Sequence, residues 1–111
     1  VGKSGQGMRL DTRGELSESQ VRRVVNAHAR DIYRCLRSAE TAAPDLHGRM
    51  EVTWVVDRAG VVSNVRVVYD EVGSPGLSGC VRAAIKGWVF PPPRGGAASV
   101  RYPFVFSNLR R

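Results

Sequence analysis

Trp88-Val-Phe-Pro-Pro-Pro93, then a glycine pair, then Val100-Arg-Tyr-Pro-Phe-Val-Phe106 is the stretch whose reading decides the fold of this chain. An amphipathic helix runs into an aromatic stop at Trp88 and Phe90. The three prolines cannot continue it, because they lack the backbone N–H and clash with the preceding turn. Gly95-Gly96 permits a tight reversal. A final strand is predicted over residues 99–107, with Val100, Tyr102, Phe104 and Phe106 on one face and Arg101, Pro103, Val105 and Ser107 on the other. Within a sheet, proline is confined to edges, strand starts or bulges. Pro103 therefore predicts an edge strand, and an edge rich in aromatic side chains is a place where another chain can be added.

Working backward, Pro75 opens a helix whose apolar stripe is Leu77, Cys80, Val81, Ala84, Ile85 and Trp88. Upstream lies a hairpin. Met50, Val52, Trp54 and Val56 alternate with Arg49, Glu51, Thr53 and Val55, and Asp57-Arg-Ala-Gly60 forms the turn. The second strand runs to Tyr69, with Ser63, Val65, Val67 and Tyr69 opposite Val62, Asn64, Arg66 and Val68. Before the hairpin, Ser17-Glu-Ser-Gln20 supplies a capping box, with Leu16 as a hydrophobic staple against Val21. From there Val21, Val24, Val25, His28, Ile32, Cys35, Leu36 and Ala39 predict one continuous helix, ended by Ala42-Ala-Pro44. His28 on this stripe reads as a packing histidine, since no carboxylate or cysteine is placed to build a site with it.

Residues 1–14, rich in Gly, Lys, Ser and Gln, read as a flexible linker, and 15–109 as one domain. The predicted class is α+β with element order α-β-β-α-β. A helix between the second and third strands acts as a crossover, so the third strand pairs with the first. The result is a three-stranded antiparallel sheet of order 2-1-3, with two helices on one face.

A chain of 111 residues supports one domain with its own core. Its apolar runs are too short to span a membrane as a helix, and residues 1–12 have no signal-peptide h-region. Any export or anchoring segment is expected outside the chain. Formal charge is +7, and every basic residue except Lys3 and Lys86 is arginine. Such charge attracts phosphate, anionic lipid or acidic partners, but the scattered placement favours a solvated basic surface. The exception is Arg23, Arg30, Arg34 and Arg37, predicted on one face of the first helix. Cys35 and Cys80 fit no zinc pattern, and His28 and His47 do not complete one. They are either two core thiols or one disulfide. If both helices cover the same sheet face the sulfurs can meet, and closing that loop is worth roughly 4 kcal/mol.

Gly48-Arg-Met-Glu-Val-Thr-Trp-Val-Val-Asp57 with Arg-Ala-Gly60-Val-Val-Ser-Asn-Val-Arg-Val-Val68 resembles the hairpin of TonB C-terminal domains. Ala84-Ile-Lys-Gly-Trp88-Val-Phe-Pro-Pro92 resembles their helix-ending element, and Val100–Phe106 their last strand. A narrower resemblance, carried by Gly14-Glu-Leu-Ser17, Cys35 and Cys80-Val81, is to the AgmX/PglI-type C-terminal domain of myxobacterial gliding-motility proteins. The likeness spans Leu16 to Leu109.

The resemblance implies a periplasmic domain of an inner-membrane-anchored protein, with membrane contact only through segments outside this chain. An oxidising compartment in turn implies a Cys35–Cys80 disulfide. It implies a non-catalytic role without cofactor or metal. The domain would capture an outer-membrane or periplasmic protein of the same motility or energy-transduction machinery, as a strand added beside Val100, Arg101, Tyr102, Pro103, Phe104, Val105 and Phe106. Pairing of two such edges would give a homodimer. Two features depart from the family pattern: no tyrosine–proline element precedes the first helix, and Pro103 removes one donor from the docking strand. A competing expectation is a nucleic-acid-binding module on the arginine face of the first helix, although the sheet offers no pair of stacking aromatics. An electrostatic contact with peptidoglycan or lipopolysaccharide is a variant of the first reading. Enzymatic function is not expected, because no nucleophile–base pair, carboxylate couple or phosphate-binding glycine loop occurs.

Overall fold

The computed structural model describes residues 13–107. Its elements are β1 (Arg13–Glu15), α1 (Glu18–Ala27), α2 (Ala29–Glu40), β2 (Gly48–Val56), β3 (Val62–Asp70), α3 (Pro75–Lys86) and β4 (Arg94–Phe106). They form an antiparallel sheet of order β1-β4-β2-β3 with the helices on one face. The predicted neighbours of the central strand are correct, but the sheet has four strands rather than three. The extra strand is made of residues assigned to the linker and its boundary: Arg13 lies opposite Ala98 and Glu15 opposite Arg94. Gly14 permits this pairing, since a Cβ there would overlap the Gly96 carbonyl. The rest of the expected linker lies outside the described residues, as do positions 108–111.

β2 carries the core. Met50, Val52 and Val56 are wholly buried and Trp54 is 1% exposed. At about 1.5–3 kcal/mol for each fully buried large apolar side chain, this one strand face contributes a substantial part of the folding free energy. Val21, Val25, Leu36, Leu77, Val81 and Ile85 from the helices close over it, with Val100, Phe104 and Phe106 from β4 alongside. Trp54 meets Trp88 edge-to-face at 6.3 Å and Phe90 at 5.9 Å. Its indole N–H has no hydrogen-bond acceptor among the described residues.

The helix expected to be continuous is two helices that meet at His28. The capping box forms as read, with the Gln20 N–H donating to Ser17 Oγ and the Ser17 N–H to Gln20 Oε1. The break comes where His28 leaves helical geometry (φ −110°, ψ 20°). Its Nδ1 bonds the Val24 carbonyl at 2.9 Å, and its ring stacks on Trp88 at 4.9 Å. The Trp88 indole N–H points to Asp31 in α2. Side-chain bonding to the i−4 carbonyl bends or interrupts a helix, and the stack on Trp88 fixes the bend. His28 has the packing role its stripe position suggested.

In β3 the simple alternation also fails. Register shifts between Thr53/Val55 and between Glu51/Val52 show extra residues on the β3 side. Asn64 takes up the first at φ 53°, a conformation its short polar side chain tolerates. The bulge returns Val65 to the inner face that Val62 also occupies, and both are buried. The second shift places Tyr69, expected on the apolar face, among the exposed outer side chains. The hairpin turn then docks on the segment that follows the third helix, where Val61 bridges Val89. Gly60, at φ 87°, accepts from the Phe90 N–H at 2.9 Å, and a Cβ there would collide with the Phe90 carbonyl.

Cys35 and Cys80 form a disulfide across 45 residues, with Cα atoms 5.6 Å apart, and so tie α2 to α3. Replacing both cysteines by alanine is expected to cost about 3–4 kcal/mol, because the closed loop is long. Urea unfolding of the variant beside the oxidised protein measures it.

Candidate functional site: the open edge of the last strand

β2 and β4 pair without a bulge from Gly48↔Phe106 to Val56↔Ala98. Two sets of bonds fix the parity of this ladder. Arg49 donates its N–H to Glu71 Oε1 and accepts from the Glu71 N–H, each at 2.9 Å, so its backbone faces away from β4. Eight positions on, the Asp57 N–H reaches the Val61 carbonyl on the same side. Backbone groups alternate sides along a strand. Hence the odd-numbered residues of β2 serve β3, and the even-numbered ones, Met50, Val52 and Trp54, serve β4.

It follows that Phe104, Tyr102 and Val100 make the narrow bonded pairs with β2. The backbone of Arg101, Pro103 and Val105 faces the opposite side. β1 lies on that side only near Ala98 and Arg94. Among the described residues, no strand lies beside 101–105. The site therefore offers the N–H and carbonyl of Arg101, the carbonyl of Pro103, and the N–H and carbonyl of Val105. The missing donor of Pro103 falls on the open side, so the proline costs the β2 ladder nothing. The edge of β3 is blunted by its two register shifts.

Side chains follow the same parity. Val100, Phe104 and Phe106 are buried and Tyr102 is half-buried, with its ring 5.0 Å from that of Phe104. Val105 is 75% exposed. Arg101 lies on the outer face, where its Nε donates to Glu51 Oε1 at 2.7 Å and a second guanidinium nitrogen also reaches Glu51. Glu51 also pairs with Arg49 at 3.2 Å, and the Arg49 guanidinium stacks over Tyr69 at 5.1 Å. The Tyr69 hydroxyl donates to Glu71 Oε2 at 2.7 Å. A polar ladder thus crosses the outer face from β3 to the open edge. Glu51 was read only as an outward residue; its placement between two arginines depends on the β2–β4 register.

The arginine face anticipated on the first helix is divided by the break at His28. Arg30, Arg34 and Arg37 share one face of α2, where they line a shallow depression with Tyr33 and Ser38. Arg23 belongs to α1.

These features define a class: a disulfide-bonded α+β domain whose antiparallel sheet has a regular last strand, partly unpaired on its outer side among the described residues. The family model for the Gram-negative bacterial TonB protein C-terminal region matches residues 38–107, and the chain belongs to that family. Among solved structures, the Pseudomonas aeruginosa TonB C-terminal domain is similar with a TM-score of 0.52 and 23% identity, over 68% of this chain and 78% of that one. The Helicobacter pylori TonB C-terminal domain gives a TM-score of 0.44 and 15% identity, over 87% of this chain and 98% of that one. No curated protein matches the sequence.

The hydrogen bond from Tyr69 holds the Glu71 carboxyl below its usual 4.5, helped by the Arg49 N–H. The same bond, with Glu71's charge nearby, raises the Tyr69 phenol above 10.0. Stability from the depressed Glu71 is present above pH 4.5 and lost as pH falls through its lower folded value. That from Tyr69 is present below pH 10.0 and lost as pH rises through its folded value. Glu71→Gln is expected to flatten the acid limb of a melting-temperature-against-pH profile by a small amount, since both groups are exposed.

Proposed function

We propose that this is a non-catalytic, periplasmic partner-binding domain of an envelope-spanning motility or energy-transduction complex. It holds an extended segment of an outer-membrane or periplasmic protein as an added strand beside Arg101–Val105. The observation that carries the reading is the regular β4 edge, unpaired among the described residues beyond the short β1 contact. Backbone bonds to Arg101 and Val105 would supply affinity. The side chains of Tyr102 on one face and Val105 on the other would supply selectivity. Membership of the TonB C-terminal family supports a binding role over a chemical one.

The Cys35–Cys80 bond fits an oxidising compartment. The two-cysteine form favours the gliding-motility branch of the family, and an inner-membrane anchor would lie outside this chain. A second copy docking on the same edge would use the same donors, so a homodimer would compete with the partner.

Pro103 divides the edge into two half-sites. A partner strand gains a donor opposite Arg101 and another opposite Val105, and leaves one carbonyl unbonded between them. Val105→Pro removes the second donor without touching the β2 ladder or the core. Loss of one backbone bond of about 1 kcal/mol, together with the displaced strand beyond it, is expected to weaken capture roughly tenfold. Val105→Thr keeps the N–H and the branched side-chain shape, and should bind far better than Val105→Pro. Capture from outer-membrane extract on the immobilised domain, with melting curves confirming that both variants fold, checks this. Unchanged capture by a folded Val105→Pro variant sinks the reading.

A further inference from the structure

α2 carries a second surface that strand addition does not use. Arg30, Arg34 and Arg37 recur at steps of four and three, so their side chains rise from one helix face. With Tyr33 and Ser38 they line the depression described above. Tyr33 is 59% exposed, and the Arg37 guanidinium lies 5.7 Å from its ring centre. Two carboxylates stand near, Asp31 and, one turn beyond Arg37, Glu40. Asp31 pairs with Arg34 at 3.6 Å while also accepting from the Trp88 indole, so it is drawn toward the core side of the helix. The face keeps a net positive charge. The opposite side of α2 is pinned by buried Cys35 and Leu36 and by the disulfide to α3, so the arginines sit on a fixed platform.

We propose that this face docks on a phospholipid bilayer bearing anionic phosphate head groups. The site is rich in donors: three guanidinium forks and two hydroxyls, the set that binds phosphate oxygens well. Tyrosine suits the boundary between head groups and acyl chains. A protein partner would need an apolar centre, and Tyr33 is the one large exposed apolar side chain on α2 among the described residues. A single-stranded nucleic acid would need free aromatic faces for stacking, whereas the Tyr33 ring already lies against Arg37. The disulfide also fits an oxidising compartment outside the cytosol, where most nucleic acid lies. The sequence placed membrane contact only in segments outside the chain; the α2 face adds a contact within it.

The test is co-sedimentation of the 111-residue protein with phosphatidylcholine vesicles, with and without about a third phosphatidylglycerol. Binding is expected to the anionic vesicles only, and to fall as salt is raised. Arg30→Gln/Arg34→Gln/Arg37→Gln should lower partitioning about a hundredfold, and each single change about fivefold. Tyr33→Ala should lower it about threefold. Arg58→Gln/Arg66→Gln/Arg94→Gln removes equal charge from exposed positions elsewhere and should lower it far less. All changes are at exposed side chains, and circular dichroism confirms folding; the single variants serve if the triple does not fold. Three results overturn the proposal: no binding to anionic vesicles at low salt, equal losses in the two triple variants, or a patch-dependent loss confined to a single-stranded oligonucleotide probe.

Discussion

The unbroken register between β2 and β4 is the constraint on which the rest of the molecule depends. A strand links the direction of each side chain to the direction of its backbone groups, so one register fixes both. The β4 residues that bond to β2 send their side chains into the core, as Val100, Phe104 and Phe106 do. Those with outward side chains turn their backbone to the open edge. The buried face and the outward-facing backbone of β4 are therefore two results of one pairing. Pro103 fits at the one kind of position where its missing N–H leaves the ladder whole. The polar ladder from Arg101 through Glu51 and Arg49 to Tyr69 depends on the same alignment.

Much of this was readable from the sequence because the deciding patterns are local. The β2 alternation, the stripe of the third helix, the proline stop and the faces of the last strand each follow from period and turn chemistry within a short window. The features that escaped are made by distant contacts. A single helix was expected through His28, since the apolar stripe continues across it; the break depends on Trp88, far along the chain. Regular alternation through Val-Ser-Asn-Val puts Asn64 on the same face as Val62, Arg66 and Val68. The local clue is a pair of polar residues between two valines that both need the core.

β1 escaped for a related reason. Gly14 resembles linker glycine, and Gly95-Gly96 resembles a turn, until the two backbones are seen to approach too closely for a Cβ. A strand of three residues has no period to detect. Of the candidate site, the strand and its faces were legible from Val100 to Phe106. Its open side was not, because it depends on the β1 pairing near Ala98 and Arg94 and on which side of β4 each amide points. Family membership supplies a reason to look at this edge, and the register says which atoms on it are available.

Amide hydrogen exchange of the free domain tests the register most directly, without a partner in hand. The account predicts slow exchange at Tyr102 and Phe104, whose N–H groups are bonded to β2, and fast exchange at Arg101 and Val105, whose N–H groups face the open edge. Protection at Arg101 and Val105 with rapid exchange at Tyr102 and Phe104 would place the donors on the wrong side and contradict it.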